Sequence, residues 1–162
     1  MALFGNKATF YKFSVVDGCV PNMKAPSTVK ISLLPDKVEI RQIMFGKEVA
    51  YLSYNQITAA EKVSEQQIKE VDKSVIGRAV VGGVLLGPLG AVVGGASGIG
   101  TKKKTEYKDY FVINYNASSG EPAVLSFEMV GPPVGFAKFL AELKQKAGIA
   151  NTLTAPAGPT IL

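Results

Sequence analysis

Residues 28–43 read TVKISLLPDKVEIRQI and contain the clearest β-hairpin pattern of the chain. Apolar and polar residues alternate on both sides of Pro35-Asp36, a dipeptide typical of turns. A strand places alternate side chains on the same face of a sheet. The residues that are predicted to face inward are Val29, Ile31, Leu33, Val38 and Ile40. This stretch therefore predicts two antiparallel strands whose sheet buries one face.

Five more segments predict strands, because they are rich in β-branched and aromatic residues or alternate in the same way. They are residues 8–16, 49–53, 56–63, 106–116 and 123–130. The polar stretch at residues 64–74 predicts a loop or a short helix. We therefore expect about seven antiparallel strands that follow one another along the chain.

Residues 134–147 predict an amphipathic helix, because apolar residues recur there at helical spacing. Those on the apolar stripe are Phe136, Phe139, Leu140 and Leu143. Those expected on the solvent-exposed side are Lys138, Glu142, Lys144 and Gln145. Pro132-Pro133 offers a proline start for this helix, and Gly148 is expected to be its C-cap. A sheet of this size curls and leaves one end uncovered, which the helix is expected to plug.

The composition excludes several kinds of site. Hydrophobic residues make up 47% of the 162 residues and charged residues 19%, which is enough apolar surface for a folded core. There is no histidine and one cysteine, so a histidine-dependent active site, an intrachain disulfide and a cysteine-rich zinc site are excluded. We expect Cys19 to be a buried apolar residue. We predict no catalytic residue, no metal and no cofactor.

The charge and the amino terminus bear on partners and location. The net charge is +5, but Arg41 and Arg78 are the two arginines among the 18 basic residues. Nucleic acid is not an expected partner, because arginine makes most bidentate contacts to bases and phosphates. The first residues show no secretory signal, and with the free thiol this favours a cytoplasmic location.

Glycine is the anomaly of the composition. Nine of the 17 glycines lie between Gly77 and Gly100, and residues 79–101 carry no charge. Small residues recur there at four-residue spacing, which on a helix forms one stripe and allows close packing. They are Ala79, Gly83, Gly87, Gly90, Gly94 and Gly98. Pro88 divides the stretch into two halves of roughly ten residues, each too short to span a bilayer, and we therefore predict a helical hairpin.

Basic residues bracket this apolar stretch. Those expected to contact an anionic surface are Lys73, Arg78, Lys102, Lys103 and Lys104. A hairpin would leave both flanks on the same side of a membrane. Insertion into a membrane, contact with another subunit in water, packing on the chain's own domain and a mobile loop all remain open at this point.

Four stretches carry a resemblance to a known fold. They are residues 32–40 (SLLPDKVEI), 77–95 (GRAVVGGVLLGPLGAVVGG), 110–115 (YFVINY) and 136–140 (FAKFL). Together they resemble small bacterial and phage proteins in which a pleckstrin-homology-like (PH-like) domain contains a glycine-rich, glycine-zipper-like apolar insertion. The resemblance implies a mainly β, PH-like orthogonal sandwich or open barrel of about seven antiparallel strands, capped by a C-terminal α-helix. It implies no single function, because PH-like domains serve many unrelated tasks.

The resemblance does not extend to lipid recognition. Phosphoinositide-binding members of the superfold carry a basic motif on the first hairpin. Here the corresponding basic residues Lys30, Lys37 and Arg41 are interspersed with Asp36 and Glu39. The motif is not reproduced, so specificity for a lipid headgroup is not implied.

We therefore divide the chain into a PH-like domain (residues 1–74 plus 105–148), a glycine-rich insert (residues 75–104) and a C-terminal tail (residues 149–162). The leading hypothesis is a non-enzymatic module that associates with a membrane surface and self-associates through the insert. The alternative is a structural subunit of a ring, fibre or phage-related particle, whose insert and tail contact neighbouring protomers. The expected partners are copies of the same chain and an anionic membrane surface, with no small-molecule substrate. The expected location is cytoplasmic, peripheral on the inner face of the membrane.

Overall fold

A computed structural model describes residues 8–69, 80–81, 83–95 and 108–149 of the chain. In chain order, the strands are β1 (Thr9–Val15), β2 (Thr28–Leu33), β3 (Lys37–Met44), β4 (Val49–Ser53), β5 (Ile57–Ser64), β6 (Val80–Val81), β7 (Val84–Leu85), β8 (Asp109–Asn116) and β9 (Pro122–Met129). The helices are α1 (Glu65–Lys69), α2 (Pro88–Gly95) and α3 (Phe136–Ala147), with a 3-10 turn at Tyr54–Gln56. Each strand predicted from the sequence is confirmed within the described residues; residues 106 and 107 of the strand predicted at 106–116 lie outside them.

Seven of the described strands form one antiparallel sheet in the order β4-β3-β2-β1-β9-β8-β5. The predicted hairpin is β2–β3, in which Ile31 lies opposite Ile40. β1 pairs with β2 on one side and with β9 on the other, so it joins a first half-sheet (β1–β4) to a second half-sheet (β5, β8 and β9). β4 and β5 are at the two ends of this order, and the 3-10 turn connects them. The predicted mainly β architecture is therefore confirmed.

The main core lies between the two half-sheets. The inward residues predicted for the first hairpin are all there, with exposed fractions between 0% and 2%. Phe111 and Phe127 come from the second half-sheet, and Val20 and Met23 come from the connection between β1 and β2. Apolar burial on this scale is the dominant stabilising contribution to a fold.

α3 closes one open end of this core, as predicted. The four residues of its apolar stripe are each at most 7% exposed. The Phe136 ring meets that of Phe111 edge-on, with centroids 5.3 Å apart. The predicted C-cap is confirmed, because Gly148 has a left-handed φ of 69° and its amide donates to carbonyls of the last turn. The start differs: the helix begins at Phe136 behind Gly135, and Pro133 lies ahead of the first turn, where its carbonyl accepts from the Phe136 amide.

One residue of α3 contradicts the amphipathic pattern. Helical periodicity places Lys144 on the solvent side, but it is 3% exposed and its ammonium group bonds the carboxylate of Glu61, which is 4% exposed. Glu61 lies on β5, so the pair ties the last turn of α3 to an outer strand of the sheet. Burying a charge is costly unless an opposite charge meets it, and neither partner is recognisable from helical or strand periodicity alone.

Candidate interaction site

The described part of the glycine-rich insert is half extended and half helical. β6 and β7 pair antiparallel around Gly83, whose φ is +90°. α2 follows, with Pro88 at its first position. The prediction of two helices is therefore wrong for the first half. The reason is local: valines flank a glycine turn, which favours a β-hairpin, whereas a proline is well placed to start a helix.

The insert packs against the outer side of the second half-sheet, away from the main core. Val84, Leu86, Leu89 and Val93 are 0% to 4% exposed. On the sheet side, the residues that form a second apolar cluster with them are Val16, Cys19, Val63, Ile68, Tyr110 and Val112. β8 is consequently buried on both faces. Packing on the chain's own domain, one of the possibilities left open by the sequence, is thus what the described residues do.

Asn114 fixes the edge of the insert to β8. Its side-chain carbonyl accepts from the Leu85 amide at 2.7 Å, and its side-chain amide donates to the Leu85 carbonyl at 2.9 Å. Asn114 is 6% exposed, so both bonds are made away from bulk water. A buried backbone group without a partner would cost free energy, and here one side chain supplies both partners.

Gly87 allows the insert to lie close to the sheet. It has φ +55°, and a Cβ atom there would lie 3.0 Å from the Val124 Cβ, closer than side chains normally approach. Gly90 is buried, but a Cβ there would lie 3.7 Å from the Leu86 Cβ, an ordinary contact distance within the insert itself. A close approach that requires glycine is therefore made at Gly87, against the chain's own sheet. Whether the four-residue spacing serves a contact between helices stays a prediction.

The other side of α2 faces outward and is apolar too. Pro88, Ala91 and Val92 are exposed, with Val92 at 45%; we call them the outward stripe. The helix PLGAVVGG carries no charged residue. α2 thus has one apolar side against its own sheet and a second apolar side at the surface.

The predicted contact residues fall into two groups. Gly83, Gly87, Pro88, Gly90 and Gly94 lie in the described insert. The others lie outside the described residues, and they are Ala79, Gly98, Lys73, Arg78, Lys102, Lys103 and Lys104. Whether any of the twelve contacts a membrane or another copy stays a prediction.

The sheet residues that receive the insert were not predicted from the sequence. Strand alternation places Tyr110, Val112 and Asn114 on the outer, solvent side of β8, opposite Phe111 and Ile113. A signal for the second buried face is present, because residues 110–113 form a continuous apolar run, which is typical of a strand buried on both faces. Asn114 gives no such signal, since its role depends on a distant backbone segment.

Burial changes the chemistry of two groups under the insert. The expectation that Cys19 is buried is confirmed, at 2% exposure. Burial, together with the charge of Asp17, raises the pKa of its thiol to about 11. Burial likewise raises the pKa of Tyr110 to about 12. Both therefore remain neutral near pH 7, so neither acts as an ionised nucleophile there.

In the described ranges, no helix combines the length and the hydrophobicity needed to cross a membrane.

A comparison with curated proteins finds no significant match. A family model described as a glycine zipper containing PH domain matches residues 25–116. That range includes β2 to β8 and the whole insert, while β1, β9 and α3 outside it complete the same sheet and its cap. The chain therefore belongs to the family of glycine-zipper-containing PH domains.

Proposed function

We propose that this protein is a non-enzymatic PH-like module that self-associates through the outward stripe of α2. The observation that carries the proposal is the apolar character of α2 on both of its sides. A helix that is hydrophobic all round is normally buried all round. One side is covered by the second half-sheet, and a second copy of the chain would cover the other.

The size of the side chains favours a protein partner over lipid. The outward stripe consists of a proline, an alanine and a valine, none of them a long side chain, and the alanine lets a second helix approach closely. Helices that lie in a membrane interface usually carry bulky anchors such as Trp, Phe or Leu on the apolar side. The leucine of α2, Leu89, is turned inward and 0% exposed.

Peripheral attachment to a membrane is the second candidate. It is supported by the basic residues that bracket the uncharged stretch at residues 79–101 in the sequence, Lys73, Arg78 and Lys102 to Lys104. Each lysine near an anionic surface contributes about 1 kcal/mol of attraction. The location that goes with this candidate is cytoplasmic, on the inner face of the membrane.

The test introduces one charge into the outward stripe. Val92→Glu (V92E) should weaken self-association of the full chain by about tenfold or more, since burying an unpaired carboxylate in an apolar contact costs well over 1.4 kcal/mol. Sedimentation velocity over a range of protein concentrations measures the change. Because Val92 is 45% exposed, the domain itself should keep its circular dichroism spectrum and melting temperature.

Val130→Glu is the matched control, because Val130 is 54% exposed directly after β9, outside the insert. It should sediment as the unmodified chain does. Flotation with anionic vesicles separates the two candidates. If the unmodified chain is monomeric and floats with vesicles, while V92E does not float, self-association is wrong and membrane attachment replaces it.

A further inference from the structure

The end of β3 and the turn that follows it present an unusual run of exposed apolar residues. Ile43, Met44 and Phe45 are consecutive and are 38%, 51% and 76% exposed. Such runs are unfavourable at a surface unless something covers them. Phe45 also has φ +60°, a left-handed conformation that bulky residues avoid.

A buried hydrogen-bond network holds this turn in place. Gln42 is 7% exposed, and its side chain donates to the Ser27 hydroxyl at 2.6 Å and accepts from the Glu48 amide at 3.3 Å. The Ser27 hydroxyl donates to the Met44 carbonyl at 2.8 Å. Gly46 completes the turn, because a Cβ there would lie 2.1 Å from the Gln42 side-chain oxygen. The backbone that carries the Phe45 ring is therefore preorganised, which lowers the cost of binding through that side chain.

A cavity of matching size opens beside the same turn. It has a volume of about 140 Å³ and lies in the corner of the main core that α3 does not fill. Its apolar walls, which define the corner cavity, are Val20, Met23, Ile40, Ala50, Leu52 and Leu125, and the exposed residues Pro21, Asn22, Glu48 and Tyr51 also line it. Phe45 of the same chain does not line it. An apolar protein cavity of about 150 Å³ is large enough to bind a benzene ring.

We propose that the Phe45 ring of one copy occupies the corner cavity of a second copy, and that the second copy does the same in return. The Phe45 ring and the corner cavity lie close together on one chain, because Glu48 is at the rim of the cavity and follows Phe45 by three residues. A two-fold axis through that region brings each ring to the other cavity, which closes the contact.

The charges around the Phe45 ring and the corner cavity are complementary. Lys47 adjoins the ring and is exposed, whereas Glu48 is exposed at the rim. In the two-fold arrangement, Lys47 of each copy approaches Glu48 of the other. A membrane fits the turn less well. A fluid bilayer gains nothing from a turn whose backbone is fixed, and the Glu48 carboxylate offsets one of the two nearby lysines, Lys24 and Lys47.

This contact is separate from α2, so the two are tested together in a set of four full-length proteins. The unmodified chain should form assemblies larger than two copies, because each chain has two different self-complementary surfaces. V92E should leave dimers joined through Phe45, and Phe45→Ala (F45A) should leave dimers joined through α2. The double variant should be monomeric. Sedimentation velocity measures all four, and circular dichroism checks their folding.

The pattern of results separates the two proposals. If V92E matches the unmodified chain and F45A is monomeric, the α2 contact is wrong and the Phe45 contact stands. If F45A sediments as the unmodified chain does, the Phe45 contact is overturned. It is also overturned if a monomeric unmodified chain floats with anionic vesicles and F45A does not float.

A mixing experiment identifies the cavity as the receiving surface. Both variants are made in the V92E background. Ala50→Leu (A50L) fills the corner cavity and keeps the Phe45 ring, whereas F45A removes the ring and keeps the cavity. Each variant alone should be monomeric, and an equimolar mixture should form a heterodimer with one intact contact. Failure of the mixture to associate overturns the assignment. If A50L does not fold, the set of four proteins decides the outcome through the exposed Phe45 alone.

Discussion

At the scale of single residues, the insert is held by Asn114 and by the absence of a side chain at Gly87. Asn114 replaces a missing neighbouring strand, because its amide pairs with both backbone groups of Leu85. Gly87 combines a left-handed φ of +55° with a 3.0 Å approach to Val124. The four-residue spacing of small residues predicted close packing, but it could not name Val124 of the chain's own sheet as the residue that Gly87 meets. Spacing describes one surface of a segment and contains no information about the opposite surface.

Replacing Gly87 by alanine should destabilise the domain by about 2 kcal/mol or more. The left-handed backbone contributes about 1–2 kcal/mol, and displacement of Val124 adds to it. Gly120→Ala is the matched control, because Gly120 has φ +88° and no atom lies within 4 Å of the position that its new Cβ would take. Urea unfolding compares the two variants. If both variants lost the same free energy of unfolding, the close approach of Gly87 to Val124 would contribute nothing to stability.

Asn114→Ala should lower the free energy of unfolding by about 2 kcal/mol or more, because it leaves the Leu85 amide and carbonyl without partners. Asn116→Ala, at the exposed end of the same strand, should cost less than half as much. Both values come from urea unfolding followed by circular dichroism. If Asn114→Ala lowered the free energy of unfolding as little as the control does, the two hydrogen bonds from Asn114 to Leu85 would not be what holds the insert on β8.

At the scale of elements, the strands and α3 follow from periodicity, whereas the insert does not. Alternation predicts one buried face for β2 and β3, and the apolar stripe predicts one buried face for α3. These predictions succeed because each of these elements packs against the main core with one face. β6 and β7 are two residues each, too short for any periodicity to register. Lys144 and Glu61 were missed for a different reason: a buried ion pair depends on two segments meeting, and neither segment's pattern shows it.

At the scale of the whole molecule, two apolar clusters lie on opposite sides of the second half-sheet. The main core is closed by α3, and the second cluster is closed by the insert. The insert therefore contributes to the stability of the domain as well as providing a surface. Deletion of the insert would uncover Val63, Ile68 and Val112, so point substitutions in the outward stripe are cleaner tests of association than deletion.

The second cluster also predicts a loss of stability at high pH. Burial raises the pKa of Tyr110 to about 12 from its ordinary value of 10.0. A pKa that is higher in the folded state means that the neutral phenol stabilises the fold. That contribution is complete below pH 10 and is lost as the pH rises from 10 to 12. Between about pH 9.5 and 12 the unmodified chain should therefore lose up to about 2 kcal/mol more than Tyr110→Phe, which cannot ionise there. Urea unfolding at each pH measures this difference, and parallel curves for the two proteins would contradict it.

The glycine-rich insert is a packed layer of the domain, with one side on the sheet and one side free to bind. Hydrogen exchange at the Leu85 amide is the measurement that checks this, because that amide donates to Asn114 beneath the insert. In a dilute V92E sample, where association through α2 is suppressed, we expect this amide to exchange as slowly as those of β8, through global unfolding. Exchange at the rate of an unprotected peptide would contradict it, since the insert would then be detached from the sheet in the free chain.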